Sequence, residues 1–373
     1  MEIYKRLAQH LDNLPGGFPS TQSGVELRIL KRLFTSEDAE LAMHLTLIPE
    51  ESRVIAHRAG ISREEAEERL EKMVEKGLIF CTYPEDGSPQ YQAAQFAVGL
   101  WEWQVNNLDS EFTKDMEEYW PTLFNLDTWK KTPQLRTIPV NVSIEVPRDV
   151  MSYEQAEELV LAHDKIGVSP CICRQEQKMK GDGCDKPEET CLQFGKIAEY
   201  YLRRNTARLI DQQEALDILK QADEFGLVLQ PSNSKEAAFL CCCCGCCCAI
   251  LRNIKHHPKP ASIVSTPFVL TTNPSTCTGC GTCINRCQTE ALRLEADKIV
   301  VNADRCIGCG LCVSTCPADS LALARKPKAE QPEVPSNFSK TLIKLGKKRG
   351  KLSTAGMAKM LVKSKLDRFR AAR

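Results

Sequence analysis

Eight cysteines of this chain occur as two copies of one spacing, and that leaves the segment carrying them little freedom. Cys277, Cys280, Cys283 and Cys287 read C-x2-C-x2-C-x3-C, and Cys306, Cys309, Cys312 and Cys316 repeat the pattern, with Pro317 closing the second copy. Two-residue spacing lets three thiolates on one tight loop reach three corners of a single metal centre. The fourth cysteine starts a helix that points the other way. Gly279 and Gly281 flank Cys280, and Gly308 and Gly310 flank Cys309, which permits sharp backbone turns close to the metal. ALRLEADKIVVN runs between the motifs, and SLALAR after the second matches ALRLEA after the first. The module, about 266–325, is therefore a pseudo-twofold repeat of loop, short helix and strand. Structural zinc held by four thiolates would need two CxxC pairs separated by a longer loop, which this tight spacing does not provide.

These residues resemble the signature of the bacterial two-cluster ferredoxins. The resemblance implies two 4Fe-4S clusters, single-electron transfer and crossed ligation. Cluster 1 would take Cys277, Cys280, Cys283 and Cys316, and cluster 2 would take Cys306, Cys309, Cys312 and Cys287. Backbone N–H groups near the sulfurs would tune the potentials. Gln288 follows Cys287 where that family usually has Pro, a departure expected to alter local rigidity and not ligation.

The chain has 20 cysteines, and most are clustered, which is unlike scattered structural thiols. Eleven lie in the middle: Cys171, Cys173, Cys184 and Cys191, then Cys241, Cys242, Cys243, Cys244, Cys246, Cys247 and Cys248 in the run CCCCGCCC. Side chains on an extended strand alternate in direction, so consecutive cysteines cannot all face one centre. Cysteine is also a small buried hydrophobe, and that reading suffices for any one or two of these and for the isolated Cys81. As a set they are expected to bind metal, as one or two further iron-sulfur clusters. The Cys-Cys-Gly stretch resembles the cysteine-rich domains of heterodisulfide-reductase type, with a different spacing. The middle as a whole is similar to uncharacterised Cys-rich iron-sulfur proteins of anaerobes. His256 and His257 lie close to the run, and a solvated turn before Pro258 accounts for them.

Tight Cys spacing in a chain of 373 residues, whose first residues lack an apolar leader, implies a reducing, cytoplasmic setting. No apolar run is long enough to span a bilayer. The expected fold class is α+β, multidomain. A winged-helix-like domain is expected over 1–100, a connector over 101–150, a helical Cys-rich domain over 151–260, the ferredoxin domain over 266–325, and a basic tail over 326–373. The winged-helix resemblance rests on helical spacing in ELRILKRLF and AELAMHL, then SRVIAHRAG, a helix opened by Ser62 and Glu65 and stopped by Gly77, and the strand candidates LIFCTY and QYQAAQF. The connector is aromatic, with Trp101, Trp103, Trp120 and Trp129, and contains the strand candidate TIPVNVSIEVP.

Charge decides whether the winged helix speaks for DNA. The helix from Ser62 to Lys76 carries six Glu against four Lys/Arg, and an acidic face is repelled by phosphates. Nucleic acid is therefore not the expected partner. The net charge of zero hides a basic tail, in which fifteen Lys/Arg face three Asp/Glu from Arg325 onward. That tail reads either as a flexible solvated segment or as an amphipathic dock for an acidic redox partner protein or an anionic membrane surface. No P-loop and no strand-to-helix G-x-G-x-x-G is present, so there is no evident nucleotide or flavin site. The function expected is an electron-transfer protein or subunit. The alternatives are an oxidoreductase with its catalytic centre among the middle cysteines, and a redox-sensing winged-helix regulator.

Overall fold

The computed structural model describes residues 1–85, 87–124, 133–140 and 151–372. Helix and strand occupy 44% and 15% of the chain, which fits the α+β class. The chain folds as two units. One is Met1–Asn125 with Tyr200–Thr206 and Leu342–Arg373, and the other is Leu126–Glu199 with Ala207–Thr341. No helix among the described residues is long and apolar enough to cross a membrane.

In the first unit, helices Val25–Leu33, Ser36–Ala42, Ser52–Ala59 and Arg63–Glu75 accompany a small antiparallel sheet. Its strands β1 (Glu50–Glu51), β2 (Phe80–Thr82) and β3 (Gln90–Gln92) lie in the order β1-β3-β2. Ser62 caps the fourth helix by accepting from the Glu65 N–H, and Gly77, at φ 71°, follows its end. An aromatic core of Phe18, Phe96, Trp101, Phe112, Tyr119 and Trp120 fills the interior. Cys81 is fully buried in β2, as a core thiol should be. Most of TIPVNVSIEVP, and Trp129, lie outside the described residues.

The basic tail is not a loose extension. Its last helix, Thr354–Arg370, packs on helix Ser52–Ala59. Arg58 donates to both carboxylate oxygens of Glu50 at 2.6 Å and to Asp367 at 2.6 Å, and Ser364 donates to Glu50. All three charged side chains of that network are nearly inaccessible to solvent. Arg349 donates to the carbonyls of Leu14 and Pro15 and to the Asp12 carboxylate. The cations supply ion pairs and C-terminal helix charge, so the tail is folded, where its composition alone left a flexible segment and an amphipathic helix both open.

The second unit corrects the expectation of a helical middle. Five antiparallel strands, β4 (Ile166–Pro170), β5 (Glu189–Phe194), β6 (Arg208–Ile210), β7 (Val228–Pro231) and β8 (Phe239–Cys243), form a sheet in the order β6-β4-β5-β8-β7. Its core face is laid down by alternation: Ile166, Val168, Leu192, Phe194, Leu229, Leu240 and Cys242 are all at least 95% buried. Helices Ala156–Leu161 and Gln212–Glu224 cover it with Leu159, Val160, Ala215, Ile218, Leu219 and Ala222. The opposite face carries Ser169, Cys191, Gln193, Gln230 and Cys241. Beyond it come β9 (Phe268–Thr272), helix Thr282–Arg286, and strands β10 (Leu292–Glu295), β11 (Lys298–Val301) and β12 (Leu321–Arg325). β9 pairs with β12, and β10 with β11, all antiparallel. Ile307 and Leu311 of the second motif belong to the same apolar core as the sheet.

Candidate iron-sulfur sites

Each ferredoxin-like motif builds half of two cradles. One concavity, of about 340 Å³ with open solvent included, is lined by Cys277, Cys280, Cys283 and Cys316. The other, of about 350 Å³ on the same basis, is lined by Cys287, Cys306, Cys309 and Cys312. Three thiols of each come from one motif and the fourth from the other, the crossed grouping that the resemblance implies.

The thiols of the two motifs are offset by 29 residues, and their backbone donors correspond. Backbone N–H groups of Gly279 and Ile299 reach the Cys277 thiol, as those of Gly308 and Leu270 reach Cys306. Thr282 serves Cys280, and Leu311 serves Cys309. The N–H of Ala291 donates to Cys287 Sγ at 3.1 Å, and that of Ser320 to Cys316 Sγ at 3.3 Å. Glycine is required at the turn: Gly279 and Gly308 have φ of 71° and 66°, and a Cβ there would lie 2.7 Å from the Asp297 carbonyl oxygen and 2.6 Å from that of Phe268. Four convergent thiols ringed by N–H donors are the donor set of an iron-sulfur cluster.

Their surroundings differ. In the first cradle, backbone N–H donors hold the Cys277 and Cys280 thiols below the usual range. In the second, burial raises Cys306 and Cys312 and pushes Cys309 up to about 12.

The middle cysteines sort into two groups and a remainder. Cys184, Cys244, Cys246 and Cys247 bring their sulfurs within 4.8 Å of one another, a group able to hold a metal. Cys247 Sγ lies 3.5 Å from Cys184 Sγ and 3.8 Å from Cys246 Sγ. Hydrogen bonds from Cys246 and Cys247 hold the Cys244 thiol well below its ordinary range, while Cys246 rises to about 11. The second group lies on the polar face of the sheet. Cys191 and Cys241 are directly paired across β5 and β8, and Cys243 is two residues further along the same strand face. Cys171 and Cys248 stand at the N-caps of helices Ile172–Met179 and Ala249–His256, and Cys248 Sγ accepts from the Leu251 N–H at 3.4 Å. The remainder is Cys242, which faces the apolar core at 1% exposure.

Arg174, next to Cys173 in sequence, joins the two groups. It is fully buried. Its guanidinium donates to the carbonyls of Pro187 and Cys242, each at 2.8 Å, and to the Thr190 hydroxyl. Burial opposes its charge, but Cys171, Cys244 and Cys243 outweigh it and hold the group firmly protonated. Motif spacing alone misses Arg174; a cation adjacent to C-x-C is the signal that could have found it. His256 and His257 contribute to neither thiol group, and His257 Nδ1 instead accepts from the Lys259 N–H at 3.0 Å, a turn contact.

Gln288 also has an assigned place. Its side-chain oxygen accepts from the Gly245 N–H at 2.7 Å, so the residue after Cys287 is tied to the middle of the cysteine run. A Cβ on Gly245 would come within 2.6 Å of the Gln288 carbonyl oxygen. Proline at 288 has no such acceptor.

Two four-thiol cradles related by an internal repeat define a ferredoxin-like iron-sulfur domain. A family model described as a 4Fe-4S dicluster domain matches residues 270–317. No curated protein matches the chain, and no solved structure does. The chain thus carries an iron-sulfur domain near its C-terminal end, and that domain together with the many cysteines supports an electron-transfer role.

Proposed function

We propose that the protein relays single electrons through two 4Fe-4S clusters and at least one further centre in the middle of the chain. Cluster 1 is held by Cys277, Cys280, Cys283 and Cys316, and cluster 2 by Cys287, Cys306, Cys309 and Cys312. The further centre includes Cys184, Cys244, Cys246 and Cys247. The clusters supply reversible one-electron chemistry. The chain supplies thiolates, N–H donors to sulfur and graded exposure to water. The observation that carries this reading is the repeat of thiol, N–H donor and left-handed glycine in both cradles. The Gln288–Gly245 bond supports the order of the relay, because it runs from the residue after a cluster 2 ligand to the turn that bears Cys244 and Cys246.

We read the first unit as winged-helix-like and as a docking or structural element for a redox partner protein. The basic residues of its acidic helix are all engaged: Arg63 with Glu67, Arg69 with Glu65, Lys72 with Glu68, and Lys76 with Asp38. That leaves no cationic stripe along this helix for a phosphate backbone.

Anaerobic purification with iron and sulfide analysis and EPR tests the relay. More than eight irons per chain are expected, two 4Fe-4S clusters accounting for eight, together with interacting signals from two reduced cubanes. Cys280→Ala should remove one cubane and leave the other. Fewer than eight irons in the full chain would sink the reading.

A further inference from the structure

Six of the middle thiols form a ring of neighbours, open between Cys191 and Cys171. The Cys173 thiol is in hydrogen-bonding contact with those of Cys171 and Cys248. Cys243 contacts Cys248 and Cys241 in the same way. Cys241 in turn contacts Cys191, which senses the charge of Cys171 across the remaining gap. The ring has a built frame: two come from the paired strands β5 and β8 at facing positions, one more from the same face of β8, and three from the N-terminal ends of two helices. Helix N-termini favour thiolates and anionic clusters. The Gln193 side-chain amide donates to Cys191 Sγ at 3.2 Å and to Ser169 at 2.8 Å. The guanidinium beside it, Arg174, is fully buried, and its Nε has no hydrogen-bond partner among the described residues.

Six sulfurs packed together with one cation beside them make a poor resting arrangement. Deprotonated, they repel; protonated, they leave weak donors facing one another in a partly buried site. Bound iron resolves both. A single cubane offers four iron corners and takes four cysteines, so it would leave two ring members without a corner.

We propose that Cys171, Cys173, Cys191, Cys241, Cys243 and Cys248 together hold one iron-sulfur cluster with more than four irons, separate from the centre at Cys184, Cys244, Cys246 and Cys247. Arg174 lies between the two centres and offsets the charge of both. Cys242 belongs to neither. This rests on the reading that the middle of the chain holds cluster iron. The eight ferredoxin irons do not depend on it.

The test uses the full chain, purified anaerobically, in eight single variants: Cys→Ala at each ring position, Cys184→Ala and Cys242→Ala. Iron is counted and Mössbauer spectra are recorded, with the ferredoxin EPR signal as the gauge that each variant has folded. Each ring variant should lose the same spectral component and more than four irons. Cys184→Ala should lose a different component, and Cys242→Ala none. A loss of four irons with two ring positions silent would show a cubane and overturn the six-ligand site. A ring without effect on iron would overturn the site altogether while leaving the ferredoxin relay standing.

Wild-type protein gives a second readout that needs no variant. Cys171, Cys173, Cys191 and Cys241 are partly exposed, so as free thiols they would be alkylated. In the iron-loaded chain all four should resist iodoacetamide, and all four should react after anaerobic chelation. Alkylation of any of them before iron removal overturns the proposal.

Discussion

A guanidinium out of contact with water needs acceptors around it, and Arg174 finds them in two carbonyls, one hydroxyl and the thiols of both middle groups. Removing it does two things. The carbonyls of Pro187 and Cys242 lose their donor, and the thiolates lose their counter-charge. Breaking a buried charge arrangement from one side costs on the order of 3–5 kcal/mol. Arg174→Met is therefore expected to lower unfolding free energy by about that much, measured by anaerobic denaturant titration. It should also strip iron from the middle centres while the ferredoxin EPR signal persists. Arg174→Lys keeps the charge but not the fork, so it should recover iron content in part and stability less. An unchanged denaturation midpoint and iron count for Arg174→Met would remove the role assigned to it.

At the scale of elements, the tie between the first ferredoxin motif and the cysteine run is made by residues without thiols. Gly245 is tolerated there because it has no Cβ to meet the Gln288 carbonyl oxygen. Gly245→Ala should force the two segments apart and cost about 1–3 kcal/mol, the usual range for overpacking, read as a lowered thermal midpoint. Gln288→Pro installs the residue usual in the ferredoxins and deletes the acceptor of the Gly245 N–H. It should cost about 1 kcal/mol, leave all eight ferredoxin irons bound, and slow electron equilibration between those clusters and the middle centre in flash-reduction kinetics. Equal rates in the variant and the parent would cut Gln288 out of the relay.

Over the whole molecule, what can be read from the sequence follows how local each feature is. The cradles are written in short spacing: Cys277 to Cys287 and Cys306 to Cys316 each lie within one loop and one turn, so their convergence needs little information from elsewhere. The middle reads as helical because IGVSP, ETCLQF and VLQP are short runs whose partners are distant, and no local period announces the sheet. Cys191 faces Cys241 only because β5 pairs with β8. Alternation along CCCC is foreseeable, but which thiols fall together depends on that long-range register. The tail stays ambiguous for a related reason. Its charges fit a solvated segment as well as a packed helix until Glu50 and Arg58 are placed beside Asp367. Truncation after Lys351 removes Asp367 and Ser364 from that network and should destabilise the first unit by about 3–5 kcal/mol. Differential scanning calorimetry would detect it as a lowered transition, and an unshifted scan would contradict it.

Strand β8 also carries a consequence for how this chain can change over time. Its cysteines are sorted by odd and even: Cys241 and Cys243 on one face, Leu240 and Cys242 on the other. At Cys242 composition is therefore more forgiving than length. Valine for Cys242 exchanges one small apolar side chain for another, whereas inserting a single residue before Cys241 would turn the thiols of the polar face into the core and bring core residues out to meet the metal. Inserting two would restore the facing. The strand should thus tolerate a spelling change at Cys242 and resist any change in count by one, a frame kept in the folded protein as a reading frame is kept in a message.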